Sequence, residues 1–155
     1  MPTPTLHLSK ELHAHWDHAT RVNSESTWSF VPENITDEFE KSGRWLSAAD
    51  VEFLGMVAVS DDVHDVVAVA AIRLMGMAAK DHYHILVMVI PLLRSVLGHK
   101  SAQRRYYGVT AAWMARSLAL VPDIQRLRDD PGVSNNANFC DIIDRAVKVL
   151  MWSGI

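Results

Sequence analysis

The chain has 155 residues, 49% hydrophobic and 21% charged, with a formal net charge of −3. That length suits one domain able to bury a core without staples, and the composition excludes wholesale disorder. The single cysteine, Cys140, excludes an intrachain disulfide or a thiolate zinc site, and Met1-Pro2-Thr3-Pro4-Thr5 lacks the basic and apolar stretches of a signal peptide, so a cytoplasmic protein is expected.

Residues 66–97 are unusually apolar. Val66 to Met77 carries one charge, Arg73, and Ile85 to Leu93 carries none. Neither run reaches the roughly 18–20 apolar residues that cross a bilayer. Lys80-Asp81-His82 stands between them, so both are expected as buried central elements with no membrane partner.

In chain order, residues 1–8 are expected to be flexible, and Ser9-Lys10-Glu11 opens a helix with Leu8, Leu12, Trp16 and Ala19 on one face. Residues 22–34 read as an irregular segment pinned by Trp28 and Phe30. Thr36 then caps a short helix running to Lys41, which Gly43 ends. Ser47-Ala48-Ala49-Asp50 has the form of a capping box opening a helix to about Val59. The next helix is expected to start at Asp61 or Asp62. Val63, Val66, Val67, Ala70, Leu74 and Met77 mark one face and Ala68, Val69 and Ile72 cover the other, the pattern of a central helix.

His84 to Ile90 is rich in Val and Ile. Helix is the preferred assignment, because a lone strand would leave its backbone groups without partners; Pro91 either lies inside that helix or begins a new one. Ser101 to Leu120 carries a stripe of Ala102, Tyr106, Val109, Trp113 and Leu120. Ala111, Ala115 and Ala119 recur every four residues and would let another helix come close. Pro122 fits the first turn of a short helix that Asp130-Pro131-Gly132 stops. Asn136 or Asn138 caps the last helix, whose face is Phe139, Ile142, Ile143, Ala146 and Leu150. The expectation is one all-α domain over residues 1–155. It is a compact bundle of about six or seven helices, with the segments 63–79, 84–98 and 101–120 as its apolar centre.

Charge is unevenly spread: residues 1–65 sum to −8 and residues 66–155 to +5. Either the acidic half lies on the basic half within one chain, or the polarity serves a partner.

Asp61-Asp62-Val63-His64-Asp65 spells DDxxD. On a helix Asp61 and Asp65 would share a face and could hold magnesium or manganese through carboxylate oxygens. The pattern resembles the aspartate-rich motif of isoprenoid synthases over these five residues, without the second metal motif that family carries. As first-turn acids, the same three residues would simply complement a helix dipole. His64-Asp65 also resembles the core of the HD-type metal-dependent phosphohydrolases, whose site needs a further upstream His and downstream Asp; His18 and Asp81 are present. In His13-Ala14-His15-Trp16-Asp17-His18, His15 and His18 lie three apart and could reach one metal, with further ligands needed.

Arg94, His99, Lys100, Arg104 and Arg105 surround the Gly98-His99-Lys100 junction and precede Tyr106 and Tyr107, a basic corner suited to phosphate or a partner. Its small footprint and a pI of about 6.2 argue against nucleic acid. Asp141–Arg145 and Asp144–Lys148 are expected as i,i+4 pairs, and Cys140 as inert core.

The expected function is a non-enzymatic protein-interaction or regulatory module acting through a helical surface, with no catalytic residue and no cofactor assigned. One alternative is a metal-dependent enzyme on a phosphorylated small molecule using Asp61, Asp62 and Asp65. The other is nucleic-acid binding through the basic 94–105 corner. The expected partner is a protein, a second copy in a two-fold dimer included. There Arg94 and Arg104, as surface groups, would meet Asp37, Glu38 and Glu40, with Trp28, Trp45 or Trp152 as exposed anchors.

Overall fold

A computed structural model of the chain describes residues 8–153. Among these residues all regular structure is helical, with no strand. The α-helices in order are α1 (Lys10–Val22), α2 (Glu25–Ser42), α3 (Ala48–Val59), α4 (Asp65–Lys80), α5 (Tyr83–Leu97), α6 (Ala102–Met114), α7 (Val121–Arg126), α8 (Pro131–Ser134) and α9 (Ala137–Ser153). Single 3₁₀ turns at Leu118–Leu120 and Leu127–Asp129 flank α7. Of the stretch expected to be flexible, residues 1–7 lie outside the described residues, and Leu8 packs partly buried against the core.

The centre is α4, which packs against α2, α3, α5 and α6. Between Asp65 and Lys80 its side chains are apolar except for Arg73, which reaches Ser29 and Glu33 on α2. Ala68, Ala70, Ala71, Ile72, Leu74 and Met75 are all essentially inaccessible, as a helix without a polar face requires. A Cβ added at Gly76 would stand 2.9 Å from the Ala111 Cα, so α4 and α6 cross almost backbone to backbone. Ala111 therefore does permit a close approach, whereas Ala119 falls in the 3₁₀ turn and is exposed. On the opposite side of α4, Trp16 meets Trp28 edge-on at 4.9 Å, joining α1 to α2; such a pair adds about 0.5–1.5 kcal/mol beyond area burial.

Three boundaries differ from expectation. Residues 25–34 are not irregular: they are the first half of α2, an 18-residue helix. Its Ser24 cap accepts a hydrogen bond from Thr27 N–H at 3.2 Å, and Thr36, expected as a cap, instead donates its hydroxyl to the Pro32 carbonyl at 2.8 Å in mid-helix. Pro32 removes one ladder bond, but burial of Trp28, Val31, Pro32, Ile35 and Phe39 along one face outweighs that loss. Phe30 points outward.

Next, α4 starts at Asp65, not at Asp61 or Asp62. Those two aspartates form a turn, so Asp61 and Asp65 share no helix face. Finally, the helix expected over 101–120 stops at Met114. Arg116 takes a left-handed φ of 56°, and Ser117 N–H reaches back to the Ala112 carbonyl at 3.1 Å while Arg116 N–H reaches Trp113. This Schellman closure carries an arginine where glycine is usual.

Other assignments hold. Residues 84–90 are helix, and α5 continues through Pro91. Ser47 and Asp50 form the reciprocal capping box of α3. Asn136 caps α9, its side-chain oxygen accepting Phe139 N–H at 3.0 Å. Among the described residues no helix is long and apolar enough to cross a membrane.

Candidate functional site

The residues singled out by sequence meet at the junction of α5 and α6, in two groups facing different ways. Successive helical residues point about 100° apart, so Arg104 and Arg105, side by side in the first turn of α6, enter different surroundings.

Arg104 is 2% exposed. It donates from Nε to Asp65 Oδ1 at 2.8 Å, from Nη1 to the carbonyls of Ser60 at 2.7 Å and Ala58 at 3.3 Å, and from Nη2 to the Val63 carbonyl at 2.8 Å. The guanidinium thereby ties the end of α3, the turn at 60–63 and the start of α4 to α6. His99 extends this clamp. Its Nδ1 accepts Ser101 N–H at 2.9 Å, which leaves the ring proton on Nε2 to donate to Asp61 Oδ1 at 3.1 Å. Lys100 stands 3.6 Å from Asp61 Oδ2. The charge of Lys100, followed by the His99 hydrogen bond, holds the Asp61 carboxyl below its ordinary value.

The acidic triplet and half of the basic corner are thus one another's partners. Asp61 faces His99 and Lys100, Asp65 faces Arg104, and Asp62 is exposed. Among the described residues no three His, Cys, Asp or Glu side chains converge in a way that could hold a metal ion. His13 pairs with Asp17 at 2.9 Å. Glu33 with Arg73 adds a third acidic-half to basic-half link, so part of the charge polarity is spent inside the chain. Asp37, Glu38 and Glu40 enter no ion pair among the described residues. Arg104 is 2% and Trp28 3% exposed, so these two are not the surface groups that the dimer contacts expected of them require.

Arg105, with Arg94 and a residue that sequence patterning passed over, Arg126, belongs to the second group. They line a groove of about 340 Å³ between the end of α5, the start of α6 and α7 with its following turn. Leu97, Gly98 and Leu127 line its apolar part, and Asp123 and Asp130 its acidic part. Asp123 takes Arg94 Nε at 3.2 Å on one oxygen and Arg126 Nη2 at 2.6 Å on the other. Asp130 takes Arg105 Nη1 on Oδ2 and Gly132 N–H at 2.8 Å on Oδ1, capping α8; these two bonds, Arg105 first, depress its carboxyl. Arg105 Nε is buried without a hydrogen-bond acceptor. Arg126 carried no signal in sequence, because only the fold of the 114–130 segment returns it to α5.

Two smaller observations complete the surface. Cys140 is half-buried, its thiol 3.4 Å from the Val133 carbonyl. Asp141 pairs with Arg145 at 3.0 Å as expected, whereas Asp144 pairs with Arg128 at 3.2 Å. No protein-family model, no curated protein and no solved structure matches this chain.

Proposed function

We propose that this protein is a non-enzymatic binding module that works through the outer face of α5, and that the occupant of that face is a second copy of the chain in a two-fold dimer. One observation carries this. Residues Tyr83–Leu97 include a single Lys, Arg, Asp or Glu, Arg94, and the side that meets solvent carries an apolar strip between His84 and Arg94. Tyr83 is 68% and Val87 52% exposed, and Pro91, one turn further, is exposed too. These i,i+4 neighbours make a continuous apolar patch rather than scattered surface residues.

Charge placement supports a copy as the occupant. At the N-terminal end of α5, Trp45 lies against His82 with ring centroids 3.7 Å apart and planes tilted by 46°, in a hollow that Glu40 and Asp81 also line. At the other end stands Arg94. A two-fold axis between Val87 and Pro91 runs the two α5 helices antiparallel, which sets the acidic end of each against the basic end of the other. Trp45 and Tyr83 then supply large aromatic anchors at the edges of the apolar strip.

Sedimentation at micromolar concentration tests the reading. The native chain should run at twice the 17.3 kDa monomer mass. Val87→Glu, which places two like charges at the axis, should run as a folded monomer with the helical circular-dichroism spectrum of the native chain. A native chain that stays monomeric up to hundreds of micromolar removes the proposal.

A further inference from the structure

The groove at Arg94, Arg105 and Arg126 has more positive charge and more donors than its own carboxylates use. Three guanidiniums face two aspartates, and both aspartates are already shared: Asp123 between two arginines, Asp130 between Arg105 and the α8 cap. Among the described residues Arg94 donates only through Nε, Arg126 only through Nη2 and Arg105 only through Nη1. Most of the N–H groups in this cluster therefore remain without a protein acceptor, including the buried Arg105 Nε. Asp130 holds the buried Arg105 in place, and Asp123 draws Arg94 and Arg126 to the same groove.

We infer that this groove binds the phosphate of a small phosphomonoester. Guanidinium forks match the oxygens of such a group in pairs, and a tetrahedral oxyanion supplies acceptors to three arginines at once. The apolar side of the groove, Leu97 and Leu127, would take the ester's carbon portion. The size of the hollow and the two carboxylates in it select a small ligand over a polyanion. A long phosphate backbone needs a broad basic surface, and here the excess amounts to one positive charge. Arg94, on α5, also stands at one end of the proposed dimer face, whereas Arg105 and Arg126 come from α6 and α7, so the test includes a monomeric variant.

The test is calorimetric titration of the full chain with inorganic phosphate and with glycerol phosphate at constant ionic strength, with the amide resonances of Gly98 and Gly132 followed in parallel. Saturable binding is expected, with both glycine signals moving along the same isotherm. Arg126→Ala, a change at an exposed side chain, should raise the dissociation constant about tenfold, and Arg126→Lys should restore part of it. The same titration on Val87→Glu separates this site from the dimer, because that variant leaves the groove intact. A linear, unsaturable response, or equal binding by Arg126→Ala, overturns the inference. So does duplex DNA that binds more tightly than the monoester and is weakened by the same replacement.

Discussion

Arg104 and Arg105 are consecutive, both buried and both ion-paired, yet they differ in what they leave undone. Every nitrogen of Arg104 has a partner, and three of the partners are backbone carbonyls at the end of α3 and in the turn after it, more than 40 residues away in sequence. Arg105 has one carboxylate, one orphaned nitrogen and a groove beside it. A guanidinium with an acceptor within the chain for each of its nitrogens is structural. One whose donors are held in place but unmatched is available to a ligand. Burial and charge alone do not separate these cases; a count of hydrogen bonds does.

The largest expected effect comes from removing each arginine in turn. Arg104→Ala takes the partner from Asp65 and from the carbonyls of Ala58, Ser60 and Val63, and should cost about 2–4 kcal/mol in urea denaturation. Arg104→Lys should not rescue it, because one ammonium cannot reproduce the forked geometry. Arg105→Ala loses one charged hydrogen bond and also removes a buried donor that has no acceptor, so its net cost should be roughly 0–2 kcal/mol. Equal costs for the two variants would break the distinction between clamp and groove.

How far these roles could be foreseen depends on the range over which they act. Signals confined to a few residues were readable: the Ser47–Asp50 capping box, the Asn136 cap, and Gly43, whose φ of 68° closes α2. The same type of closure at Arg116 was not readable, because an arginine in a left-handed conformation carries no compositional mark. α2 was divided because Pro32 and the Ser/Thr-rich start resemble loop chemistry. What overrides them is the buried Trp28–Phe39 face, which depends on tertiary packing. Asp61 and Asp62 imitate first-turn acids, and the true role of Asp61, as partner of His99 and Lys100, depends on residues 38 or more positions along the chain. The Asp50 carboxylate, fully buried, likewise serves α3 as a cap and also accepts Ser9 N–H from 41 residues away at 2.7 Å. The basic corner was legible as a composition, but its division into a clamp and a groove was not.

Acid should sharpen the contrast by a smaller effect. Asp61 and Asp130 both have carboxyls held below the ordinary 3.8, through Lys100 and His99 in one case and Arg105 and Gly132 in the other. A depressed folded-state value means that each contributes stability in full above the unfolded value and loses it as pH falls through the lower folded one. The sensitive window therefore opens below about pH 5 and extends to the acid side of 3.8. Protonating Asp130 takes the charge from the only side-chain partner that Arg105 has among the described residues, whereas protonating Asp61 leaves every Arg104 bond to Asp65 and the carbonyls in place. Amide exchange between pH 5 and 3 should accelerate first around Gly132 and the groove, and Asp130→Asn should abolish that early phase. Simultaneous loosening at Val63 and Gly132 would mean that the two arginines are not independent.

The smallest expected effect is on stability at the groove's rim. Arg94 and Arg126 are exposed and share Asp123, so each contributes a surface ion pair whose attraction is screened by solvent and opposed by side-chain entropy. Arg126→Ala should shift the unfolding free energy by no more than about 0.5 kcal/mol, since Asp123 keeps Arg94 as a partner. A site built for a ligand requires this pattern, with weak coupling to folding and strong coupling to phosphate on the same side chain. Denaturation of Arg126→Ala with and without saturating phosphate measures both at once: native and variant proteins should coincide without phosphate and separate with it. Separation already present without phosphate would make Arg126 a second clamp, of the same kind as Arg104.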